Sequence, residues 1–378
     1  MFDALLLVGI FISLLAGQFA RIELIDAFAN IYVHEIFLLM FIGSSVIRLG
    51  LSPLHKIVKK KEFVLLIVLT IVSFIISFGE FTLQQNGLSL LYFLRAALYF
   101  MFGIYLVEYL KHSKTNKTFI YCLIYSFSIL LIITTAIQYI FYPNFWVLKP
   151  FGWDPHMYRA SSAYFDVFVA AAIYGVLSFF WYINKKYILS LSYVSALALS
   201  FSRSAYLAFL ISIIYYFIVK KKWRELLIII FLFISLVLIL PKPFGEGVNL
   251  LRTASISSRI QDYQLGVKIW QEKPLLGFGY NRIRFAKEQL NLAQADDKSH
   301  SLASFHSSFL VLLVTGGMLG FAIFMFILLK FYKKYPTLRV YGIFILSMSL
   351  FDNVLLHALV ALPLIFVAIY SIQSKVGD

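Results

Sequence analysis

The sequence predicts an all-α integral membrane protein with about twelve transmembrane helices. Of its 378 residues, 61% are hydrophobic and 13% are charged. Soluble domains have about 45–50% apolar and about 25% charged residues, so a soluble domain is excluded. Apolar runs of the length that crosses a bilayer, about 20 residues, recur along the chain. Basic clusters separate alternate pairs of these runs, which is typical of a multi-pass membrane protein.

Each predicted transmembrane helix corresponds to one apolar run. The runs cover residues 5–20, 32–48, 63–79, 89–110, 118–142, 164–183, 187–202, 205–219, 226–241, 305–329, 338–354 and 356–372.

The basic clusters predict which side of the membrane is cytoplasmic. Lysine and arginine concentrate in cytoplasmic connections. The clusters lie at residues 55–61, 111–117, 185–186, 220–224 and 330–334. Both termini are therefore expected inside, and much of the net charge of +15 reflects topology. The basic runs are short and lack interleaved aromatic residues, so no nucleic-acid binding is expected.

The same topology predicts three regions. Residues 1–241 form N-terminal transmembrane helices, residues 242–304 form a long external loop between helices 9 and 10, and residues 305–378 form C-terminal transmembrane helices. The loop shows helical spacing after Ser257 and Ser258, with Pro274 ending that stretch, and again from Asn281 to Leu292. Such an amphipathic helix could lie on the membrane surface or pack on the helical bundle.

Charged side chains occur where they are costly. Arg203 lies between two apolar runs, His306 begins another, and Arg95 lies within a span. A charge retained at membrane depth usually faces a cavity or a partner. Arg95 is expected to meet a lipid phosphate or an acidic residue, with Asp166 and Asp352 as the candidate acids.

Three segments carry a family resemblance. They are SFSRSAYLAF at 200–209, SSRIQDYQLGVKIWQEKPLLGFGYN at 257–281 and HSSFLVLLVTGGMLG at 306–320. In this order they resemble the O-antigen polymerase and O-antigen ligase superfamily of bacterial integral membrane glycosyltransferases. The resemblance implies a GT-C-like multi-pass protein of the bacterial inner membrane, with an active site facing the periplasm or exterior.

The resemblance also implies a reaction. A glycan would move from an undecaprenyl-pyrophosphate donor to a sugar hydroxyl, either on a carrier-linked glycan or on lipid A core. Arg203 and Arg259 match the family's arginines and would bind the pyrophosphate, because guanidinium binds phosphate in a bidentate fashion. His306 would be the catalytic base, with His300 as the rival. The further possible substrate contacts are Arg95, Arg159, Arg282 and Arg284. The lipid bilayer and a chain-length regulator are the other expected partners.

The motifs leave more than one activity open. Phe321 directly follows Gly320, the last glycine of the third segment, at a position where ligase-like members often have a small or hydroxylated residue, so we favour a polymerase over a ligase. A lipid-linked oligosaccharide flippase or transporter is a more distant alternative, although the chain lacks two similar halves.

No metal or other cofactor is expected. The chain has one cysteine, no HExxH motif, and one adjacent acidic pair, Asp296 and Asp297, which we interpret as solvated.

Overall fold

The computed structural model describes residues 2–25, 29–111, 114–151, 156–241, 246–292 and 302–374. His300, Asp296 and Asp297 lie outside these ranges. The described chain is almost entirely helical, with one short antiparallel hairpin of β1 (Arg21–Ile25) and β2 (Ala29–Tyr32).

The chain divides into two compact units, each built from segments distant in sequence. Unit 1 comprises Met1–Ser13, Ala20–Ser113 and Ile256–Lys334, and unit 2 comprises Leu14–Phe19, Lys114–Ser255 and Tyr335–Asp378.

The first helix, α1 (Phe2–Ala16), begins in unit 1 and ends in unit 2. The other helices assigned wholly or mainly to unit 1 are α2 (Val33–Leu49), α3 (Ser52–Val58), α4 (Lys61–Ile76), α5 (Leu83–Lys111), α11 (Ala254–Glu272), α12 (Ile283–Gln289) and α13 (Ser308–Lys334). Within this unit, α2 packs on α5 and α4 packs on α13.

The helices of unit 2 are α6 (Lys114–Phe141), α7 (Val167–Ile183), α8 (Tyr187–Leu199), α9 (Arg203–Val219), α10 (Trp223–Ile239), α14 (Arg339–Ser349) and α15 (Ala358–Ser374). The core of this unit is α7, which is buried along almost its whole length. It packs against α8, α14 and α15. A helix that is apolar on all sides is stable only when neighbours cover it or lipid surrounds it.

The all-helical prediction is confirmed, but twelve membrane spans are not. Each predicted run overlaps one of twelve helices. Among the described residues, only five helices are long and apolar enough to cross a membrane, or six if α2 and α3, bent by 101°, form one broken span. Four further apolar helices have 10–17 residues. The runs 187–202 and 205–219, for example, correspond to α8 and α9, which have 13 and 17 residues.

The region predicted as a long loop with short helices has two α-helices in its described part. The described part of 242–304 contains α11 and α12, separated by a turn at residues 273–282. Helix α11 begins at Ala254, one turn earlier than the expected start at Ser257. The external position of this region, and the division at residues 241 and 304, stay predictions.

A break in α13 fixes the turn between α11 and α12. Gly317 has φ 62° and ψ −171° inside an otherwise helical segment. The break separates the carbonyls of Val314 and Thr315 from the amides of Met318 and Leu319, which would be their partners in a continuous helix. In an apolar membrane such groups must find other partners.

The turn at residues 274–279 supplies those partners through its backbone. Four hydrogen bonds join it to the break: Phe278 N to Val314 O at 3.0 Å, Gly279 N to Thr315 O at 2.9 Å, Met318 N to Pro274 O at 2.8 Å and Leu319 N to Leu275 O at 3.2 Å. The Ser73 hydroxyl of α4 also donates to Leu276 O at 2.6 Å. The PLLGFGYN segment and the glycine-containing helix of the third motif therefore form one backbone junction.

Two glycines permit this close approach. A Cβ on Gly277, at φ 68°, would lie 2.6 Å from Thr315 O, and a Cβ on Gly317 would lie 2.3 Å from Leu275 O. We expect Gly277→Ala and Gly317→Ala each to destabilise the protein by about 2 kcal/mol or more, because left-handed backbone and overpacking each cost about 1–3 kcal/mol. Thermal unfolding in detergent measures this loss.

Two neighbouring glycines of α13 are matched controls. A Cβ on Gly320 meets nothing within 4 Å, and one on Gly316 meets only Phe321 N at 3.9 Å. Gly316→Ala and Gly320→Ala should melt near the wild-type temperature. Equal melting of all four variants would show that the junction does not need its glycines.

Candidate functional site

The residue predicted as the catalytic base is held by a carboxylate. His306 lies just before α13, and Asp262 lies in the middle of α11. The Asp262 Oδ2 atom is 3.1 Å from His306 Nδ1 and accepts the His306 backbone N–H at 2.7 Å. The Asp262 side chain is 14% exposed and that of His306 is 43% exposed. With Nδ1–H donated to the carboxylate, Nε2 is the ring nitrogen that can accept a proton.

A buried lysine contacts the two residues that precede His306. Lys287 of α12 is only 2% exposed. Its Nζ donates to Ser304 O at 3.1 Å and lies 4.4 Å from the centroid of the Phe305 ring. These contacts fix the two residues that precede His306. Burial lowers the pKa of Lys287 to about 8, the Asp262 carboxylate opposes that shift, and Arg284 adds to it.

The predicted arginines on α11 and α12 differ in surroundings. Arg259 is half-buried and lies three residues before Asp262 on the same helix. Arg284 is 7% exposed and lies within electrostatic range of Lys287. Around Asp262 and His306 the structure therefore gathers Lys287 and Arg284, with Arg259 one helical turn away. These cations lie near an oriented imidazole, and the Glu288 carboxylate lies within electrostatic range of Arg284.

Arg282, by contrast, is part of the protein interior. It is fully buried, and its guanidinium donates to Phe74 O at 3.0 Å and to the Asn86 side chain. Its Cζ atom lies 4.0 Å from the Phe74 ring centroid and 5.0 Å from that of Phe81. Burial lowers the pKa of Arg282 to about 10. These contacts favour a structural role, joining the turn after α11 to the α4–α5 connection.

Arg95 meets an acid within unit 1. Its Nε lies 2.6 Å from Glu35 Oε1 and its Nη2 lies 3.1 Å from Glu35 Oε2. Tyr99 donates to the same carboxylate at 3.3 Å and is 2.6 Å from His34 Nε2. The acidic partner is therefore Glu35, and the expectation of Asp166 or Asp352 is wrong. The sequence does show the signal, since Glu35 is the one carboxylate inside the second predicted span.

In unit 2, Arg203 is the first residue of α9, and its guanidinium donates hydrogen bonds to backbone carbonyls. Its Nη1 donates to Arg252 O at 2.8 Å and to Leu250 O at 3.2 Å. Arg159 donates through Nε to Ser200 O at 2.8 Å and through Nη2 to Phe201 O at 3.3 Å. Arg159 thus holds the first two residues of the SFSRSAYLAF motif, and Arg203, within that motif, holds the backbone at residues 250–252. Arg252, not selected from the sequence, donates to Gly247 O in the same region.

Among the described residues, no group of three or more His, Cys, Asp or Glu side chains is arranged to hold a metal ion. The rival base His300 and the acidic pair Asp296 and Asp297 fall outside those residues.

The candidate spans and the buried charges define an integral membrane protein. Residues 187–325 match the family model described as O-antigen ligase. The matched segment runs from the start of α8 into α13 and includes Arg203, Arg259 and His306. This match confirms the resemblance inferred from the three motifs, for the part of the chain that it covers. No curated protein matches the chain.

Sequence reasoning missed Asp262 and Lys287. Asp262 is three residues after the motif arginine, so its position on the same helical face was available. Asp262 bonds His306, which lies 44 residues later. This contact follows only from the junction of the 274–279 turn with α13. Lys287 looked like a solvated loop charge, because nothing in the local pattern shows that α12 is buried.

The buried ammonium predicts a pH effect on stability. The unfolded lysine has a pKa near 10.5 and the folded one about 8. Between pH 8 and pH 10.5 the unfolded state therefore binds more protons, so this group makes stability rise with pH. Across that window, we expect the free energy of unfolding of the wild type to increase relative to that of Lys287→Met. The increase is up to about 1.4 kcal/mol per pH unit.

Melting temperatures in detergent at a series of pH values provide the measurement. The exposed Lys268 of α11 gives the control variant Lys268→Met, whose pH dependence should match the wild type. Parallel curves for the wild type and Lys287→Met would contradict the burial of a charged amine.

Proposed function

We propose that this protein is a polysaccharide polymerase of the O-antigen or capsule type. It transfers a glycan from an undecaprenyl-pyrophosphate donor to a hydroxyl of a carrier-linked repeat unit, on the periplasmic or exterior side. The observation that carries the proposal is the Asp262–His306 pair, because it supplies an oriented base inside the segment that matches the O-antigen ligase family.

The transfer needs a base at the acceptor. A sugar hydroxyl is a weak nucleophile, and its attack on the donor C1 requires loss of its proton. His306 Nε2 accepts that proton while Asp262 stabilises the imidazolium through Nδ1. The new C1–O bond forms as the bond from C1 to the pyrophosphate oxygen breaks, and the carrier leaves as its pyrophosphate.

The leaving group needs positive charge. Negative charge develops on the pyrophosphate as the C1–O bond breaks, and fixed cationic groups stabilise it. Arg259 is proposed as one phosphate ligand because it lies one turn from Asp262 and is half-buried. Arg203 is proposed as the other from its motif position. Arg284 and Lys287 supply positive charge behind the base, and the reaction is proposed to proceed without a metal.

A ligase is the second candidate, and the family description favours it. In that case the same base and arginines would transfer the finished glycan to lipid A core or to a protein. Our preference for a polymerase rests on Phe321, whose ring packs on Phe309 with centroids 6.2 Å apart. A chain-length regulator is a proposed partner of the polymerase.

Loss of the base should stop transfer without unfolding the protein. General base catalysis contributes about 10²–10⁴-fold, so we expect His306→Ala to reduce the transfer rate by that range. Asp262→Asn should reduce it by about 10²-fold or more, because an amide can donate to Nδ1 and then favours the wrong tautomer. Rates with purified protein and carrier-linked donor measure both.

Two exposed residues give the controls for these variants. His55→Ala on α3 and Glu272→Gln at the end of α11 remove the same chemical groups from the surface. Both should leave the rate unchanged. Wild-type activity in His306→Ala would rule out the base, and wild-type activity in Asp262→Asn would rule out its orientation by the carboxylate.

The polymerase and the ligase differ in the acceptor that they use, and this difference can be tested. We expect purified protein in vesicles to convert carrier-linked repeat units alone into a ladder of longer glycans, because a polymerase uses a second repeat unit as acceptor. Gel analysis of the products, with and without lipid A core, measures this. Product formed only with the core would support the ligase and overturn the polymerase. No product with either acceptor would favour a flippase or transporter.

A further inference from the structure

Helix α11 has one face that packs within its own unit. Ile269 is fully buried and Asp262 bonds His306. Gly266 lies against Leu310 of α13 so closely that a Cβ would be 2.4 Å from Leu310 Cδ2. These contacts fix the rotation of α11 about its own axis. They therefore also fix which of its side chains point away from the unit.

The remaining surface is divided into two stripes of opposite polarity. Ile256, Ile260 and Val267 are 49%, 53% and 39% exposed and are spaced by four and seven residues, so they lie on one side of the helix. The second stripe also has helical spacing and is exposed and polar: Ser257, Gln261, Gln264 and Lys268. One exposed side is thus apolar and the neighbouring side is hydrophilic.

This surface does not belong to a transmembrane helix. Helix α11 has 19 residues but is not among the described helices apolar enough to cross a membrane. Two half-buried aromatic residues, Tyr263 and Trp270, border the apolar stripe on the side away from the polar stripe. Tyrosine and tryptophan concentrate at the level of lipid headgroups.

We propose that α11 lies in the membrane–water interface, with Ile256, Ile260 and Val267 inserted among lipid acyl chains and the stripe from Ser257 to Lys268 facing water. A helix with a packed face, an apolar face and a polar face fits this location, since the interface presents hydrocarbon and water within one helix diameter. A second copy of the chain is disfavoured as the occupant, because only three aliphatic side chains project from the stripe.

The location has a consequence that rests on the proposed function. Arg259 lies beside Tyr263 and the stripe on the helical wheel. An interfacial α11 holds this guanidinium at headgroup depth, where the pyrophosphate of a membrane-anchored carrier also lies. The depth of α11 then sets the level at which the donor is bound.

The single cysteine makes a direct measurement practical. In a Cys122→Ser background, a nitroxide label is placed by Ile256→Cys, Ile260→Cys or Val267→Cys, with Gln261→Cys, Gln264→Cys and Lys268→Cys as matched controls on the polar stripe. Each protein is reconstituted in phosphatidylethanolamine–phosphatidylglycerol vesicles. Electron paramagnetic resonance then compares collisions with oxygen, which concentrates in the bilayer, and with a water-soluble nickel chelate.

We expect oxygen to dominate several-fold at positions 256, 260 and 267, and the nickel chelate to dominate at 261, 264 and 268. Nickel-dominated relaxation at all six positions, or spin–spin broadening along the apolar stripe from a second copy, would overturn the proposal. Photolabelling of the unsubstituted chain by a diazirine-bearing phospholipid gives an independent measurement, in which α11 peptides must carry the label.

These measurements need no substrate, so they are independent of the transfer assay. An α11 that lies in water would overturn the interfacial location while leaving the His306 results unaffected. A protein that is inactive in the transfer assay but has a lipid-inserted α11 would overturn the proposed function and leave the interfacial location intact.

Discussion

The backbone exchange between the 274–279 turn and the break in α13 is the constraint on which the candidate site depends. A helix broken at Gly317 leaves amides and carbonyls that would each cost several kcal/mol in hydrocarbon. The turn satisfies them with its own backbone, in four hydrogen bonds of 2.8 to 3.2 Å. Because the turn immediately follows α11, the exchange fixes where α11 ends. The position of Asp262 relative to His306 follows from that fixed end.

The junction also explains one glycine in each of two motif segments. Gly277 and Gly317 face each other across the junction, and neither has space for a Cβ. These two glycines therefore allow the two backbone segments to approach each other closely. The second and third motif segments are therefore parts of one folded unit. This unit includes the arginine, the two-glycine turn, the histidine and the second glycine pair.

The sequence was sufficient for the helical class and for the residues inside the motifs, since hydropathy and motif spacing are local properties. It was insufficient where tertiary contacts decide. Each of the twelve runs overlaps a helix, yet within the described part of the chain only five helices, or six with the bent α2–α3 pair, are long and apolar enough to span. Arg282 and Arg284 are two residues apart, just after the second motif segment, but their surroundings differ. Arg282 is held by Phe74, Phe81 and Asn86, whereas Arg284 lies within electrostatic range of Lys287. Only packing distinguishes them.

The balance of charge around His306 supports a base more than a phosphate ligand. The Asp262 carboxylate orients the imidazole through Nδ1 and leaves Nε2 as the other ring nitrogen, but a carboxylate would also repel an incoming pyrophosphate. Three cations offset that repulsion: Lys287 and Arg284 act on the buried side, and Arg259 lies one turn from Asp262 on α11. Under the proposed function, the one negative charge would orient the base, and the cations would stabilise the anionic leaving group.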